Sequence, residues 1–306
     1  MATQYTGTSQ VDDSVIALMD QAFLISGGSG DNIIIDQFVD FKRSIGAKSI
    51  DLTKYAKLAK VTSALSEAVD PDGVQMSDTK VTLTPAEYGN VVTTTKLASI
   101  QSGGKADLGA SAVVGMNAAE TLNALGIVAG EAGTNVRMAN SAANEGAIAA
   151  GDTVQAGDLA YVYNRLSRSN VMSFEGGFYV ALVHPDVADD IALLSGWSDV
   201  QKYADAFQIL KNEVGMYKGF RFIKSTGVTV NADAGASAVD TYHSQFFGRN
   251  ALGKAVSRDV SQMVTGPFDK LQRFVHLGWY GMVDYSIIDQ DAHWLITSSS
   301  SYGSNS

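Results

Sequence analysis

The sequence has 306 residues, 18% of them charged, and its 22 basic and 32 acidic side chains leave a formal net charge of −10 at neutral pH. So acidic a chain is a poor electrostatic partner for nucleic acid, and the low charged fraction favours a subunit that buries part of its outer surface. Zero cysteines exclude disulfides and thiolate metal sites, and four histidines leave little material for a histidine-rich metal cage.

The first 41 residues form an acidic block. They contain six aspartates and no basic residue, so we expect an extended N-terminal arm and no secretory signal. We also expect no membrane span, because no continuous apolar stretch is long enough. A basic block follows, with Asp51 as its one acidic residue: Lys42, Arg43, Lys48, Lys54, Lys57 and Lys60. The two blocks can meet on neighbouring subunits or be two solvated surfaces, and both interpretations stay open.

Residues 50–97 are predicted to form a long two-stranded arm. Apolar residues and threonines alternate at 81–84 and cluster at 91–95, as in strands. Between the two halves lies Asp70-Pro71-Asp72-Gly73, in which proline presets a turn dihedral and glycine admits a positive one. We therefore place the tip of the arm there. Two strands alone bury too little apolar surface to be stable, so the arm is expected to need partners from elsewhere.

Helices and buried strands are predicted in the rest of the chain. Small and apolar residues recur at helical spacing over 108–131, which predicts a helix of about twenty residues. Another helix is expected to begin at Gly157-Asp158, with the aspartate as its cap. The apolar run 178–183 predicts a buried central strand, and His184-Pro185-Asp186 is typical of a helix start. Aromatic and β-branched residues over 274–296 predict one or two closing strands.

The motif search finds no catalytic constellation. His184 and Asp186 are the one pair that could perform acid–base chemistry, and capping at a strand-to-helix junction is the favoured role for them. His243, His276 and His293 lack metal-ligand spacing, so we expect them to be satisfied or interfacial. The chain has neither a Gly-Lys-Ser/Thr phosphate loop nor a Gly-x-Ser-x-Gly elbow. We therefore predict no enzymatic activity, no cofactor and no metal.

The second half of the chain resembles a known family. Residues 213–221, Glu-Val-Gly-Met-Tyr-Lys-Gly-Phe-Arg, resemble the Glu-x-Gly-x-x-x-Gly-x-Arg signature of tailed-phage major capsid proteins, and the nearest branch is the N-four-like capsid group. Val183-His184-Pro185-Asp186 and Leu277-Gly278-Trp279-Tyr280-Gly281, followed by 285–289, are similar to further family motifs in order and spacing. Where relatives tend to show Gly-Trp-Lys, this chain has Gly278-Trp279-Tyr280.

This resemblance implies an α+β subunit of the Johnson, or HK-ninety-seven-like, fold. It divides the chain into an N-terminal arm (1–49), an E-loop hairpin (50–97), the spine helix and peripheral domain (98–156), a mainly axial domain (157–260), and the closing strands of the peripheral domain with the C-terminal tail (261–306). It implies that the chain assembles with itself, as hexamers and pentamers, into the icosahedral virion head of a tailed phage. Double-stranded DNA would be enclosed without sequence-specific binding, which suits the net negative charge.

The resemblance also implies partners and contact residues. A portal and a separate scaffolding protein are expected, because the arm carries no scaffold-like extension, and a decoration protein is left open. Assembly is expected in the host cytoplasm, without a membrane. The candidate inter-subunit contacts are the arm tip and part of the basic block: Asp70, Pro71, Asp72, Gly73, Lys54, Lys57 and Lys60. Some relatives cross-link lysines between subunits, but the sequence identifies no partner for such a bond, so none is predicted.

Two other functions stay open at this point. An encapsulin-type bacterial nanocompartment would share the fold but load a protein cargo, so the content of purified particles would separate it from a phage head. An α+β enzyme is the distant alternative, with His184 and Asp186 as its candidate residues.

Overall fold

The computed structural model describes residues 21–22, 34–43, 46–65, 67, 70, 72–174, 176–195, 198–199, 213–266, 270–271 and 273–302. The helices are α1 (Lys96–Ser102), α2 (Lys105–Glu131), α3 (Ala156–Arg168) and α4 (Pro185–Ala192). The strands are β1 (Val39–Arg43), β2 (Ile50–Tyr55), β3 (Asp78–Leu83), β4 (Ala86–Thr95), β5 (Val136–Met138), β6 (Tyr179–Val183), β7 (Ser198–Asp199), β8 (Glu213–Tyr217), β9 (Phe220–Lys224), β10 (Val230–Asn231), β11 (Thr241–Phe247), β12 (Leu252–Thr265), β13 (Phe274–Ile287) and β14 (His293–Ser298).

These strands form three sheets. A four-stranded sheet has the order β1-β12-β13-β4, and an eight-stranded sheet has the order β5-β14-β11-β6-β9-β8-β7 with β10 beside β11. Strands β2 and β3 form a separate two-stranded sheet. Pairing is parallel between β1 and β12, β5 and β14, and β6 and β9, and antiparallel elsewhere. The mixture of helices and mostly antiparallel sheets confirms the predicted α+β class.

Helix α2 packs on the four-stranded sheet. The predicted helix is confirmed and begins slightly earlier, at Lys105. Val114 and Ala118 pack against Trp279 of β13, whose indole Nε1 donates to Asn117 Oδ1 over 3.0 Å. By length and composition α2 could also cross a membrane, which the sequence analysis did not expect. Its apolar residues on the sheet-facing side instead belong to the core.

The eight-stranded sheet is built around β6. All five residues of this strand are buried, as predicted, and α3 and α4 contribute apolar residues to the same cluster. A second cluster joins α2 to both sheets, since it contains Leu122, Val180, Phe247 and Val283. The two larger sheets and the long helix therefore share one continuous apolar interior.

The starts of α3 and α4 test the two capping predictions. His184 is the N-cap of α4, and its Nδ1 accepts a hydrogen bond from the backbone N of Asp186 at 3.4 Å, which confirms the capping role. Helix α3 begins slightly earlier than predicted, with Gln155 as its N-cap, and Asp158 caps it from the first turn, where Oδ2 accepts a hydrogen bond from Gln155 N at 3.4 Å. The buried Asp158 carboxylate also accepts from Arg137 Nε at 3.0 Å, so it holds the loop before the helix as well.

The predicted arm over 50–97 is confirmed only in its first part. Strands β2 and β3 pair in antiparallel register, from Ile50 opposite Leu83 to Tyr55 opposite Asp78. Residues 91–95 do not belong to this pair, because β4 lies along β13 at the edge of the four-stranded sheet. Alternation along the sequence identifies a strand but not its partner, which explains the difference.

Most of the predicted acidic arm lies outside the described residues. Within its described part, Ile35 and Phe38 are buried, and β1 continues from them alongside β12. Asp36 pairs with Lys254 and accepts a hydrogen bond from the Tyr285 hydroxyl at 2.9 Å. This aspartate of the acidic block is therefore partnered within its own chain.

Candidate assembly interface

Hairpin β2–β3 carries an exposed apolar surface. Beyond the paired strands, a backbone hydrogen bond from Ala56 N to Ser77 O at 2.9 Å closes the base of residues 56–77. Val61 is 84% exposed and Leu65 is 75% exposed. Scattered exposed apolar residues are ordinary, but a run of them on one projecting loop marks a contact surface. We call the following residues the apolar loop surface: Tyr55, Leu58, Val61, Leu65, Val74 and Met76.

The predicted contact residues lie at two ends of this hairpin. Asp70, Asp72 and Gly73 are exposed between the two apolar halves of the loop, and Pro71 lies outside the described residues. Lys57 and Lys60 are exposed beside the apolar loop surface. Lys54 is at the base, where its Nζ is 2.6 Å from Asp289 Oδ1 of the same chain. The structure thus places Lys54 apart from the tip and gives it an internal partner.

The signature at 213–221 is a buried ion pair closed by a tight turn. The Glu213 side chain is fully buried and that of Arg221 is 11% exposed. Arg221 Nη1 donates to both carboxylate oxygens of Glu213, at 2.9 and 3.2 Å, and its guanidinium lies 4.1 Å from the centre of the Phe178 ring. The two charged residues of the motif therefore face each other across strands β8 and β9.

The turn explains the second glycine of the same signature. Lys218 and Gly219 have φ angles of 49° and 82°, the left-handed values that a two-residue hairpin of this type requires. A side chain at Gly219 would also lie 2.4 Å from the Tyr163 ring. A bulge between Glu213 and Gly215 shifts the register and brings Met216 opposite Arg221. Sequence comparison identified this motif, but not that its ends form an ion pair.

Helix α2 presents a second apolar surface that the sequence analysis did not identify. Val113, Met116 and Val128 are each about half exposed, at 54%, 46% and 59%. Met116 also lines a groove of about 590 Å³ between α2 and the turn at 224–227. A helix that is apolar on all sides is normally covered on all sides. The sequence did contain a signal for this second surface, because only four of the 27 residues of α2 are charged: Lys105, Asp107, Glu120 and Glu131.

His184 Nδ1 lies 3.2 Å from Asp186 Oδ2, so the candidate acid–base pair is in contact at the start of α4. His243 Nε2 lies 2.9 Å from Glu145 Oε1, and His276 Nδ1 lies 2.8 Å from Thr93 Oγ1, so both have partners as expected. His293 differs, because it is fully buried and neither ring nitrogen has a hydrogen-bond partner. Burial lowers the pKa of His293 to about 4. Within the described ranges, no group of three His, Asp or Glu residues could hold a metal ion.

Comparison with known proteins identifies the family of this chain. The family model described as phage capsid protein matches residues 3–277. The capsid of Ralstonia phage GP4 is similar, with a TM-score of 0.70 and 14% identity over 89% of each chain. The head structure of Helicobacter pylori bacteriophage KHP40 has a TM-score of 0.65 and 13% identity over 90% of this chain and 91% of that one.

The likeness to solved structures extends beyond these phages. A virus-like particle from Pyrococcus furiosus has a TM-score of 0.55 and 13% identity, over 91% of this chain and 97% of that one. No curated protein matches the sequence. At identities this low, the structural similarity supports conclusions about the fold alone. It confirms the predicted HK-ninety-seven-like fold. The family model covers most of the sequence, and on that ground the chain belongs to the phage capsid protein family.

Proposed function

We propose that this chain is the major capsid protein of a tailed phage, and that it assembles as hexamers and pentamers into a closed icosahedral head. The observation that carries the proposal is the apolar loop surface, which projects from the subunit with Val61 and Leu65 exposed by 84% and 75%. A two-stranded loop of this kind cannot bury its own apolar residues. Docking on an adjacent subunit would cover them.

If the loop of one subunit docks on its neighbour, the contact joins two different surfaces of the chain. Contacts of this kind close into rings when the rotation between subunits allows it, which suits hexamers and pentamers. The predicted tip residues Asp70 to Gly73 and the exposed Lys57 and Lys60 would flank the apolar contact as its polar rim. Charged side chains at a rim mainly adjust association rate and salt dependence, and the apolar residues supply most of the affinity.

The charge of the chain fits a container for DNA. A net charge of −10 per subunit would enclose double-stranded DNA without binding it tightly. We propose a portal and a separate scaffolding protein as further partners, assembly in the host cytoplasm, and a decoration protein as an optional addition. The domain division stated above is part of the same proposal, with α2 as the spine helix.

The test is assembly of the purified chain, measured by size-exclusion chromatography with light scattering and by negative-stain microscopy, with and without co-expressed scaffolding protein. We expect closed shells or rings from the wild type. Replacing Val61 and Leu65 by serine should abolish them and leave a folded subunit, because both side chains are solvated in the subunit. The matched control is Leu193→Ser, which removes an equally exposed leucine, at 84%, from the end of α4.

Limited trypsin digestion gives a second measurement on the same samples. Lys57 and Lys60 lie in an exposed segment without strand pairing, so the free subunit should be cut there rapidly. Assembled shells should be protected at both lysines. A wild type that stays monomeric under all conditions, or shells that are cut at Lys57 as fast as subunits, would contradict the proposal.

An encapsulin-type compartment is the second candidate, favoured by the similarity to the Pyrococcus furiosus virus-like particle. Its TM-score of 0.55 is below the 0.70 of the Ralstonia phage capsid, and the family model describes phage capsid proteins. Particles purified from the native source should contain double-stranded DNA if the first proposal holds. A protein cargo without DNA would instead support the compartment.

A further inference from the structure

The base of hairpin β2–β3 has one face toward the rest of the subunit. Side chains alternate along a strand, so Leu52 and Lys54 lie on the same face of β2, and Val81 is paired opposite Leu52. Leu52 and Val81 are half-buried, and Leu83 at the end of β3 is fully buried. The other face is exposed to solvent and carries Asp51, Lys80 and Thr82.

Two contacts hold this inner face against β12 and the segment that follows β13. The first is apolar and forms over Gly253 of β12, where a side-chain carbon would lie 2.5 Å from Ile288 Cδ1 and 3.7 Å from Leu52 Cδ1. The second is the ion pair between Lys54 Nζ and Asp289 Oδ1, at 2.6 Å. Asp289 is positioned for this, because its carboxylate also accepts a hydrogen bond from the backbone N of Asp291 at 3.1 Å.

The other strand of the hairpin has its own anchor. Asp284 of β13 accepts a hydrogen bond from the backbone N of Thr84 at 2.7 Å, directly after β3 ends. One attachment point would let the hairpin rotate, whereas two points on different strands restrain the rotation. Asp284 therefore holds the end of β3, and Leu52 and Lys54 hold β2. Lys54 lies farther along the hairpin from Asp284 than Leu52 does, so its contact restrains the rotation most.

We propose that Lys54 is a positioning residue, whose ion pair with Asp289 sets the angle at which the apolar loop surface leaves the subunit and so where the loop meets its neighbour. The second half of this statement rests on the proposed function, and the first half does not. The pair is partly exposed, with 45% of the Lys54 side chain and 26% of the Asp289 side chain accessible. Such pairs contribute little to stability and are weakened by salt. Its loss should therefore change the angle and leave the fold intact.

The chain offers a matched control for this ion pair. Lys80 lies on the outer face of the same hairpin, and its Nζ is 2.7 Å from Asp51 Oδ2. Both partners of that pair belong to the hairpin, so it cannot fix the hairpin to the sheet. Lys54→Met and Lys80→Met thus remove the same charge from the same element, and only the first removes an anchor.

The angle can be measured on the unassembled subunit. The sequence has no cysteine, so Gly73→Cys at the loop and Ser167→Cys on α3 give two specific spin-label sites. Both positions are exposed, and nothing lies within 4 Å of a side chain placed at Gly73. Electron–electron distance measurements in this background give the reference distribution. Lys54→Met and Asp289→Asn should shift and broaden it, Lys54→Arg should restore it, and Lys80→Met should leave it unchanged.

The same variants without labels then test the consequence for assembly. We expect Lys54→Met to give shells of mixed size or open fragments, with the urea midpoint of the free subunit unchanged, and Lys80→Met to give wild-type shells. An unchanged distance distribution in Lys54→Met would overturn the positioning role. A changed distribution with wild-type shells would overturn its link to assembly. Failure of the wild type to assemble would overturn the proposed function, while the distance measurement still decides whether Lys54 fixes the hairpin.

Discussion

Replacing Arg221 by methionine should remove a large part of the stability of the subunit. The substitution keeps most of the apolar stem and deletes the guanidinium. It leaves Glu213, whose side chain is fully buried, without the cation that lies 2.9 and 3.2 Å from its carboxylate oxygens. Breaking a buried ion pair from one side typically costs about 3–5 kcal/mol, because the remaining charge stays desolvated. Domains of ordinary stability have about 5–15 kcal/mol in total, so this loss should be easily measured.

The double variant Glu213→Met/Arg221→Met provides the diagnostic comparison. With both charges replaced by apolar side chains, no unpaired charge remains, and such exchanges are often neutral or even stabilising by about 1–4 kcal/mol. The double variant should therefore be more stable than Arg221→Met alone. Arg258→Met is the control, since Arg258 is exposed and lies 4.8 Å from the Tyr280 ring, a contact that should contribute no more than about 1 kcal/mol.

The assay is urea unfolding of the unassembled subunit at low protein concentration, followed by tryptophan fluorescence. Trp279 and Trp294 lie in β13 and β14, so the signal reports on both larger sheets. The reasoning would be refuted if Arg221→Met lowered the free energy of unfolding by less than Arg258→Met does. It would also be refuted if the double variant were as unstable as Arg221→Met. The first result would mean that Glu213 is not desolvated in solution, and the second that shape, not charge, dominates at this site.

Two further predictions concern the core and the sheet edge. The pKa of His293 falls from 6.5 to about 4 on burial, so the unfolded chain binds the extra proton between these values and stability should fall as the pH drops through that window, by up to about 3 kcal/mol. Urea midpoints at pH 7 and pH 4 should differ less in His293→Leu than in the wild type, and an equal difference would contradict this origin. Replacing both Val92 and Thr93 by proline removes at least one backbone N–H that points toward β13. This double variant should therefore fail to fold as well as fail to assemble. A soluble variant with the circular dichroism spectrum of the wild type would show that β4 is not needed for folding.

The candidate interface could be predicted from the sequence in part. The turn residues around Asp72 predicted a projecting arm. Because two strands alone bury too little apolar surface, the arm was also predicted to need partners. Lys54 and Lys57 looked equivalent in the sequence, because both belong to one run of basic residues. Only the structure separates them, since Lys54 meets Asp289 while Lys57 stays exposed. The two residues of the ion pair are more than two hundred positions apart, and local patterns carry no information at that range.

The sequence by itself determined the elements whose signals are local. The helical spacing in α2, the apolar run of β6 and the cap at His184 each depend on neighbouring residues, and each was predicted correctly. The tertiary structure alone decided which strands pair and which charges meet. It placed β4 beside β13, and it joined Arg221 to Glu213 across a bulge. The physical reason is that periodicity records which face of an element is buried, whereas the partner on that face is selected by packing among segments far apart in the chain.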